Sequence, residues 1–470
     1  MSELSAALER HARERGGVPA LRDAERTVTW RELRTAVSAL AARFGALAPG
    51  ARVLAVLPNG ALLASALLAA LEAEVELLGI APRTPRAALA ELAARLDAER
   101  VLAAPGAGIE AEALDFAALL AVPARRPAPA RGGAILLTTS GTTGAPRIVR
   151  RSARAVDAIA ASTARALALT PDDCSLLAIP LFHSYGLDQL TAAVLAGARL
   201  ELHASFNPAQ VRRALRQDGV SHLPAVPTML DALARGSAAG GRAPRLRRVV
   251  SAGSALPERV ARAFTHSFGV EVGQVYGSSE LGTVSATQPG DPLGCVGRAL
   301  PGVELRVLAR ESANPNEPLA RGEEGVVAIA SPGRFDRYLD SDEAPGELVI
   351  SGDLGRLDAE GRLWLCGRTG LLIDVGAVKV NPLEIEAVLM RHASVREAVV
   401  LPLAFSDTGS RLRALIVPEP GHAPTRDALR RYAREHLIDY KVPRVFEIRA
   451  DVPRSPTGKI LRGELLRSER

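Results

Sequence analysis

The chain has 470 residues, more than one ordinary hydrophobic core accommodates, which points to a large subdivided body with at least one smaller domain. Its net charge of +6 suits acidic small molecules, while an aromatic content of 3% is too low for base-stacking platforms and weighs against nucleic acid. Cys174, Cys295 and Cys366 lie far apart without CxxC or His spacing, which argues against disulfides and structural zinc.

The N-terminal MSELSAALERHARERGG alternates charges along an amphipathic helix and lacks the basic end and apolar core of a signal peptide, so a cytoplasmic location is expected. Thr27 to Phe44 has a cap-like start and helical spacing at Leu33, Val37, Leu40 and Phe44. A strand is predicted at Val53 to Leu57. Next come a helix at Ala61 to Leu71, too short to cross a bilayer, and a strand at Val75 to Leu78. A helix from Pro85 to Leu96 and a strand near Val101 complete an alternation that reads as parallel α/β.

A Pro/Arg linker, Pro123 to Gly133, delivers the chain to Ile135–Arg150, an apolar strand that runs into a hydroxyl- and glycine-rich loop. Thr139, Ser140, Thr142 and Thr143 offer hydroxyls, and Gly141 and Gly144 let backbone N–H groups turn toward an anion. Pro146 stiffens the exit before Arg147 adds a positive charge. The composition suits nucleotide phosphates without matching a Walker loop or a dinucleotide fingerprint; taken alone, it reads equally well as a polar surface turn.

After the loop the pattern predicts a helix from Ser152, strands at Leu176 to Ile179 and at Leu200, helices at Pro208 to Gln217 and Pro257 to Phe268, and a strand at Val270 to Tyr276. These make two sheets. Arg242, Arg245, Arg247 and Arg248 read as a solvated basic loop. Short β-rich segments from Gly294 to Ile329 suggest a small barrel-like subdomain. From Gly370 onward a compact α+β unit is expected, which divides the chain into residues 1–369 and 370–470. The 58 basic residues include only three lysines, Lys379, Lys441 and Lys459. A lysine that persists against such a bias suggests a need for a compact, mobile ammonium.

Five further stretches carry a family likeness: SAGSALP at Ser251 to Pro257, QVYGSSE at Gln274 to Glu280, SGDLGRLD at Ser351 to Asp358, GRTGLLIDVGAVKVNPLEIE at Gly367 to Glu386, and PRSPTGKILR at Pro453 to Arg462. With the loop, and in this order, they resemble the adenylate-forming superfamily over essentially the whole chain. That superfamily contains acyl-CoA synthetases, peptide-synthetase adenylation domains and firefly-type luciferases. The resemblance implies ATP, Mg²⁺ and a thiol acceptor, either CoA or the phosphopantetheine arm of an acyl carrier protein. It implies that the loop holds phosphates, with Arg147 where the family usually has lysine. Gly253 and Ser254 fall at the adenine side, Tyr276 and Gly277 at the adenine-stacking position, and Ser279, usually Thr, at the α-phosphate. Glu280 takes the place of the magnesium carboxylate. Asp353 and Arg368 correspond to the ribose contacts, and Lys459 to the lysine that bridges ATP and the carboxylate. Gly370 stands at the hinge, which is usually Asp or Lys. Gly376, Tyr440 and Arg444 fall at CoA-side positions.

In PLFHSYG, His183 occupies the position where amino-acid-activating relatives place an aspartate against the substrate ammonium. The resemblance is therefore to ligases of non-amino acids, fatty or aryl, with His183, Val226, Pro227, Gly277, Gly282 and Thr283 around the acyl group. A ligase loading an acyl carrier protein and a non-catalytic acyl-nucleotide binder remain alternatives at this stage.

Overall fold

The computed structural model describes residues 2–107, 109–122, 132–139, 147–235, 243–310, 317–341, 344–375, 378–406, 409–455 and 458–467. Among the described residues the chain forms two compact units, one built from residues up to 139 and 147–304 together with 330–348, the other from 305–329 and from 349 onward. Among the described residues no helix is long and apolar enough to cross a membrane.

The first unit is α/β with two large sheets. In the seven-stranded sheet, Ala51–Val56, Val75–Ile80, Ala98–Ala103 and Ala134–Thr138 run parallel, and Ile148–Ser152 and Arg337–Tyr338 add antiparallel strands at one side. In the nine-stranded sheet, Cys174–Leu177, Arg199–Leu202, His222–Ala225, Arg248–Ser251 and Val272–Ser278 are parallel. Gly282–Ala286 then returns antiparallel along the last of them. The helix Ala61–Glu72 is buried on nearly every face, which explains its uniformly apolar sequence.

Sequence periodicity places most of these elements and misplaces some. The helix predicted from Thr27 begins at Trp30, because Thr27–Thr29 pairs with Pro19–Arg22 as a strand and Thr29 then serves as N-cap in a capping box with Glu32. Its buried face carries Leu33, Val37, Leu40 and Phe44, as the spacing predicts. An additional strand, Ile148–Ser152, precedes the helix Ala153–Ala166; Ser152 both ends that strand and serves as the helix N-cap, so the helix expected from Ser152 is present. The arginine cluster is not simply solvated. Arg247 pairs with the buried Asp173, and Arg248 is half-buried and donates to the carbonyl of Ala166. Arg242 lies outside the described residues.

The second unit contains a four-stranded sheet, Glu304–Leu308, Gly325–Ala330, Leu348–Leu357 and Leu363–Arg368; its first two strands fall in the stretch where the β-rich subdomain is expected, and its last two come from beyond it. An α+β region follows, with the strands Val395–Ser406, Gly409–Pro418 and Val445–Ile448 and the helices Pro382–Leu389 and Arg426–His436. Ile385, Leu389, Val400, Ile416, Leu429 and Phe446 belong to a core of its own.

Candidate active site

In an open parallel sheet, ligands bind outside the carboxyl ends of the strands, where the chain must turn out of the ladder. Adjacent strands of the nine-stranded sheet end at Leu177, Ala225, Ser251 and Ser278; Val226 and Gly253 lie just past the second and third of these ends, His183 lies farther along the chain after the first, and Tyr276 is in the last strand near its end, so residues assigned to both nucleotide and acyl roles gather at the same edge. Val226 and Pro227 are buried where the helix Pro227–Arg235 starts, and a Cβ on Gly253 would lie 3.5 Å from Val226 Cγ1. Gly253 itself has φ +87°. Ser254 is exposed beside it.

The hairpin between Val272–Ser278 and Gly282–Ala286 carries Glu280. Its register shifts between Tyr276 and Gly277, a bulge that re-aims the strand end. A Cβ on Gly277 would come within 2.3 Å of the Gly282 carbonyl oxygen, so the approach requires glycine. Tyr276, Ser279 and Glu280 are half-buried, and Thr283 is buried. The Glu280 carbonyl accepts from Phe335 N at 2.7 Å, which pins the turn.

The apolar strand Ala134–Thr138 leads to the neck of the loop. Thr139 N donates to the Arg147 carbonyl at 2.9 Å, and Arg147 N donates to Thr139 Oγ1 at 3.2 Å. Ser140, Gly141, Thr142, Thr143 and Gly144 lie outside the described residues. The Arg147 guanidinium carbon sits 3.3 Å from the centroid of the Tyr338 ring, a cation–π contact. The Tyr338 hydroxyl donates to Glu280 Oε1 at 3.3 Å. Burial and the Glu280 charge push the phenol above its ordinary value, which keeps it a donor. Tyr338 thus joins the phosphate-loop cation to the candidate metal carboxylate. No motif marks it; the scarcity of tyrosine, five in the chain, is the only hint in the sequence.

Glu280 makes no ion pair among the described residues, and a single available carboxylate matches magnesium, which fills its remaining positions with water and phosphate oxygens. The donor set therefore fits the ion. His183 is the N-cap residue of the helix Ser184–Ala196, its ring 4.9 Å from that of Phe182. Its Nε2 is buried without a hydrogen-bond partner, and burial lowers the imidazole pKa to about 4, so it is neutral near pH 7.

In the second unit Asp353 and Arg368 face each other across an antiparallel ladder, joined by a hydrogen bond from Arg368 Nε to Asp353 Oδ1 at 2.5 Å. Gly352, at φ +73°, turns the chain just before the aspartate. Gly370 lies exposed in the short turn Thr369–Leu371, and a Cβ there would meet nothing within 4 Å. Gly376 lies outside the described residues. Lys459 closes a turn in which Ser455 N donates to the Lys459 carbonyl at 2.8 Å and Lys459 N donates to Ser455 Oγ at 3.1 Å. Arg454 Nη1 braces it through the Gly458 carbonyl at 2.7 Å. Tyr440 and Arg444 are both exposed, and Arg444 pairs with Asp439 at 3.2 Å.

Residues 8–339 match the AMP-binding enzyme family, and residues 384–459 match the AMP-binding enzyme C-terminal domain. The 2-succinylbenzoate–CoA ligase of Geobacillus kaustophilus is 31% identical over 343 residues, which cover 71% of this chain and 69% of that protein. The fatty acid–acyl-carrier-protein ligase of Streptomyces coeruleorubidus is 31% identical over 346 residues, covering 70% and 66%. The o-succinylbenzoate CoA synthetase of Bacillus subtilis, solved with its acyl-adenylate intermediate, has a TM-score of 0.83 at 25% identity, covering 99% of this chain and 98% of that one. ATP-bound MatB from Rhodopseudomonas palustris shares the fold, with a TM-score of 0.88 at 23% identity and the same coverage. The chain belongs to the AMP-binding enzyme family.

Proposed function

We infer that the chain is a cytoplasmic, AMP-forming ligase that activates a non-amino carboxylic acid with ATP and transfers the acyl group to a thiol, most readily that of CoA. The observation that carries this reading is the line from Arg147 at the neck of the phosphate loop through Tyr338 to Glu280, set at strand ends beside a neutral His183. The names of the similar proteins support it, since they act on 2-succinylbenzoate and on fatty acids.

In the first half-reaction a carboxylate oxygen of the acid bonds to the α-phosphorus of ATP and the bond to pyrophosphate breaks, giving acyl-AMP. Glu280 would hold a magnesium ion, whose charge would offset that of the phosphates, and Lys459 and Arg147 supply the protein's own cations. Asp353 and Arg368 serve the ribose, while Tyr276, Gly253 and Ser254 serve the adenine. In the second half-reaction the thiol sulfur bonds to the acyl carbon, its proton goes to solvent, and AMP leaves. Residues 370–470 act as a mobile domain that turns at Gly370, withdraws the lysine turn and brings Gly376 forward, with Tyr440 and Arg444 toward the CoA nucleotide. The neutral His183 gives an α-ammonium no anion to pair with, which favours simple fatty or aryl acids.

A carrier-protein thiol is the second reading, favoured by the Streptomyces relative. Pyrophosphate release with Mg-ATP across fatty, aryl, dicarboxylic and amino acids, with CoA, with a phosphopantetheinylated carrier protein and with neither, tests both. Non-amino acids are expected to turn over with CoA. An α-amino acid as best substrate, with simple acids inert, would overturn the assignment.

A further inference from the structure

We propose that Arg151 and Asp188 are positioning residues that set the aim of the Glu280 hairpin, an inference that rests on the ligase reading above. Their side chains are 0% and 1% exposed and pair at 3.0 Å. Each member holds a different part of the site. Asp188 Oδ2 accepts from Thr283 N at 2.8 Å and from Thr283 Oγ1 at 3.0 Å, on the strand that leaves the Glu280 turn. Arg151 Nη1 donates to Ser184 Oγ at 3.1 Å, and the Ser184 hydroxyl donates to the Ser278 carbonyl at 3.1 Å, on the strand that enters it. Ser184 directly follows His183, and Arg151 lies on the strand that leaves the phosphate loop. One buried pair therefore ties together the loop's exit strand, the helix start at His183 and both arms of the hairpin.

Stability alone is a poor account of these charges. A buried ion pair stabilises little relative to well-packed apolar side chains, and it does so only when its remaining polar atoms are satisfied. Here Arg151 Nε and Nη2 are buried with no hydrogen-bond partner. The guanidinium instead seats the turn. Gly282 has φ +66°, and a Cβ on it would fall 2.7 Å from Arg151 Nη2, so the backbone lies directly against the charge. Removing this seat lets Glu280 and Ser279 drift, and displacements of about 1 Å at a reacting centre cost roughly 100-fold in rate.

The test uses the full chain with two variants. Arg151→Met/Asp188→Leu removes both charges together, and Ser184→Ala breaks only the relay to Ser278. The double variant is expected to keep its Tm within about 5 °C while kcat for ATP–pyrophosphate exchange falls about 30-fold and KM for ATP moves less than about threefold. Ser184→Ala is expected to lose about fivefold in kcat at unchanged Tm, with Ser184→Thr restoring it. Amide hydrogen exchange over residues 277–283 reads the hairpin without turnover and should quicken about tenfold in Ser184→Ala. Wild-type kcat in a double variant of unchanged Tm would overturn the proposal. So would Ser184→Ala with both kcat and hairpin exchange unaltered, whether or not the double variant folds. Failure of the ligase reading looks different: the unaltered chain would then exchange with no acid, while the hairpin readout still decides the positioning role.

Discussion

Glu280 and Lys459 carry the opposite charges expected around the reacting phosphate, and the chain mounts them in contrasting ways. Glu280 sits on a bulged hairpin whose arms are held from below by Asp188 and Ser184 and whose turn is pinned by Phe335, all through contacts distant in sequence. The backbone of Lys459 is bonded to Ser455 within its own turn, with Gly458 at φ +81° and its carbonyl braced by Arg454, whose guanidinium also pairs with Glu397 of the same unit. The lesson is a division of labour. In the proposed mechanism the charge fixed to a sheet defines where the nucleotide lies, whereas the charge on a turn bonded within its own unit is the one that domain motion would deliver and withdraw.

The largest expected effect tests that division at the turn. Lys459→Ala should reduce acyl-AMP formation by about 100-fold or more, since one well-placed charge donor contributes roughly 3 kcal/mol in the transition state. Thioester formation from supplied acyl-AMP should survive, and equal loss of both halves in a folded variant breaks the comparison. Next in size is the pivot. Proline at Gly370 fixes φ near −65°, so Gly370→Pro should retain pyrophosphate exchange and lose about tenfold in thioester synthesis from supplied acyl-AMP. Wild-type rates in both halves would place the rotation elsewhere. Smaller again is Tyr338→Phe, which keeps the ring under Arg147 and removes the hydroxyl bonded to Glu280. One such hydrogen bond contributes about 1 kcal/mol, so kcat/KM for Mg-ATP should fall about fivefold. No change would detach Tyr338 from the site.

Acid sharpens the contrast through stability. Burial lowers His183 to about 4 and His222 to about 3, both in the first unit. Below pH 6.5 the unfolded chain takes up protons that these folded imidazoles refuse until near their own values, so stability is full above pH 6.5 and falls as pH drops toward 4. Between pH 7 and 5 the loss is about 2 kcal/mol per histidine, seen as a lower urea midpoint, and His222→Gln should remove about half of it. A midpoint that rises toward pH 5 contradicts this.

The sequence reveals what repeats along the chain and hides what forms across it. Leu33, Val37, Leu40 and Phe44 announce a helix because their 3.6-residue spacing is itself the buried face. The strands His222–Ala225 and Arg248–Ser251 escape notice because they are four residues long and buried on both faces apart from the half-buried Arg248, so they show no alternation. The helix Ser184–Ala196 is buried almost all round, so it too lacks an amphipathic mark. Motif likeness assigns proposed roles to Glu280, Asp353 and Lys459 because they stand in short contiguous strings. Tyr338, Arg151 and Asp188 act through partners 33 to 95 residues or more away, and in one dimension they read as ordinary surface residues.

The central claim is that the acid's own oxygen attacks the α-phosphorus, and isotope transfer tests it most directly. A carboxylic acid labelled with ¹⁸O in both oxygens, chosen as the best substrate of the acid panel, would be incubated with Mg-ATP, CoA and the enzyme, and the nucleotide product analysed by mass. The account predicts AMP carrying one ¹⁸O, because the bridging oxygen leaves with AMP when the thiol takes the acyl group. Unlabelled AMP, or ADP with the label in inorganic phosphate, would contradict it.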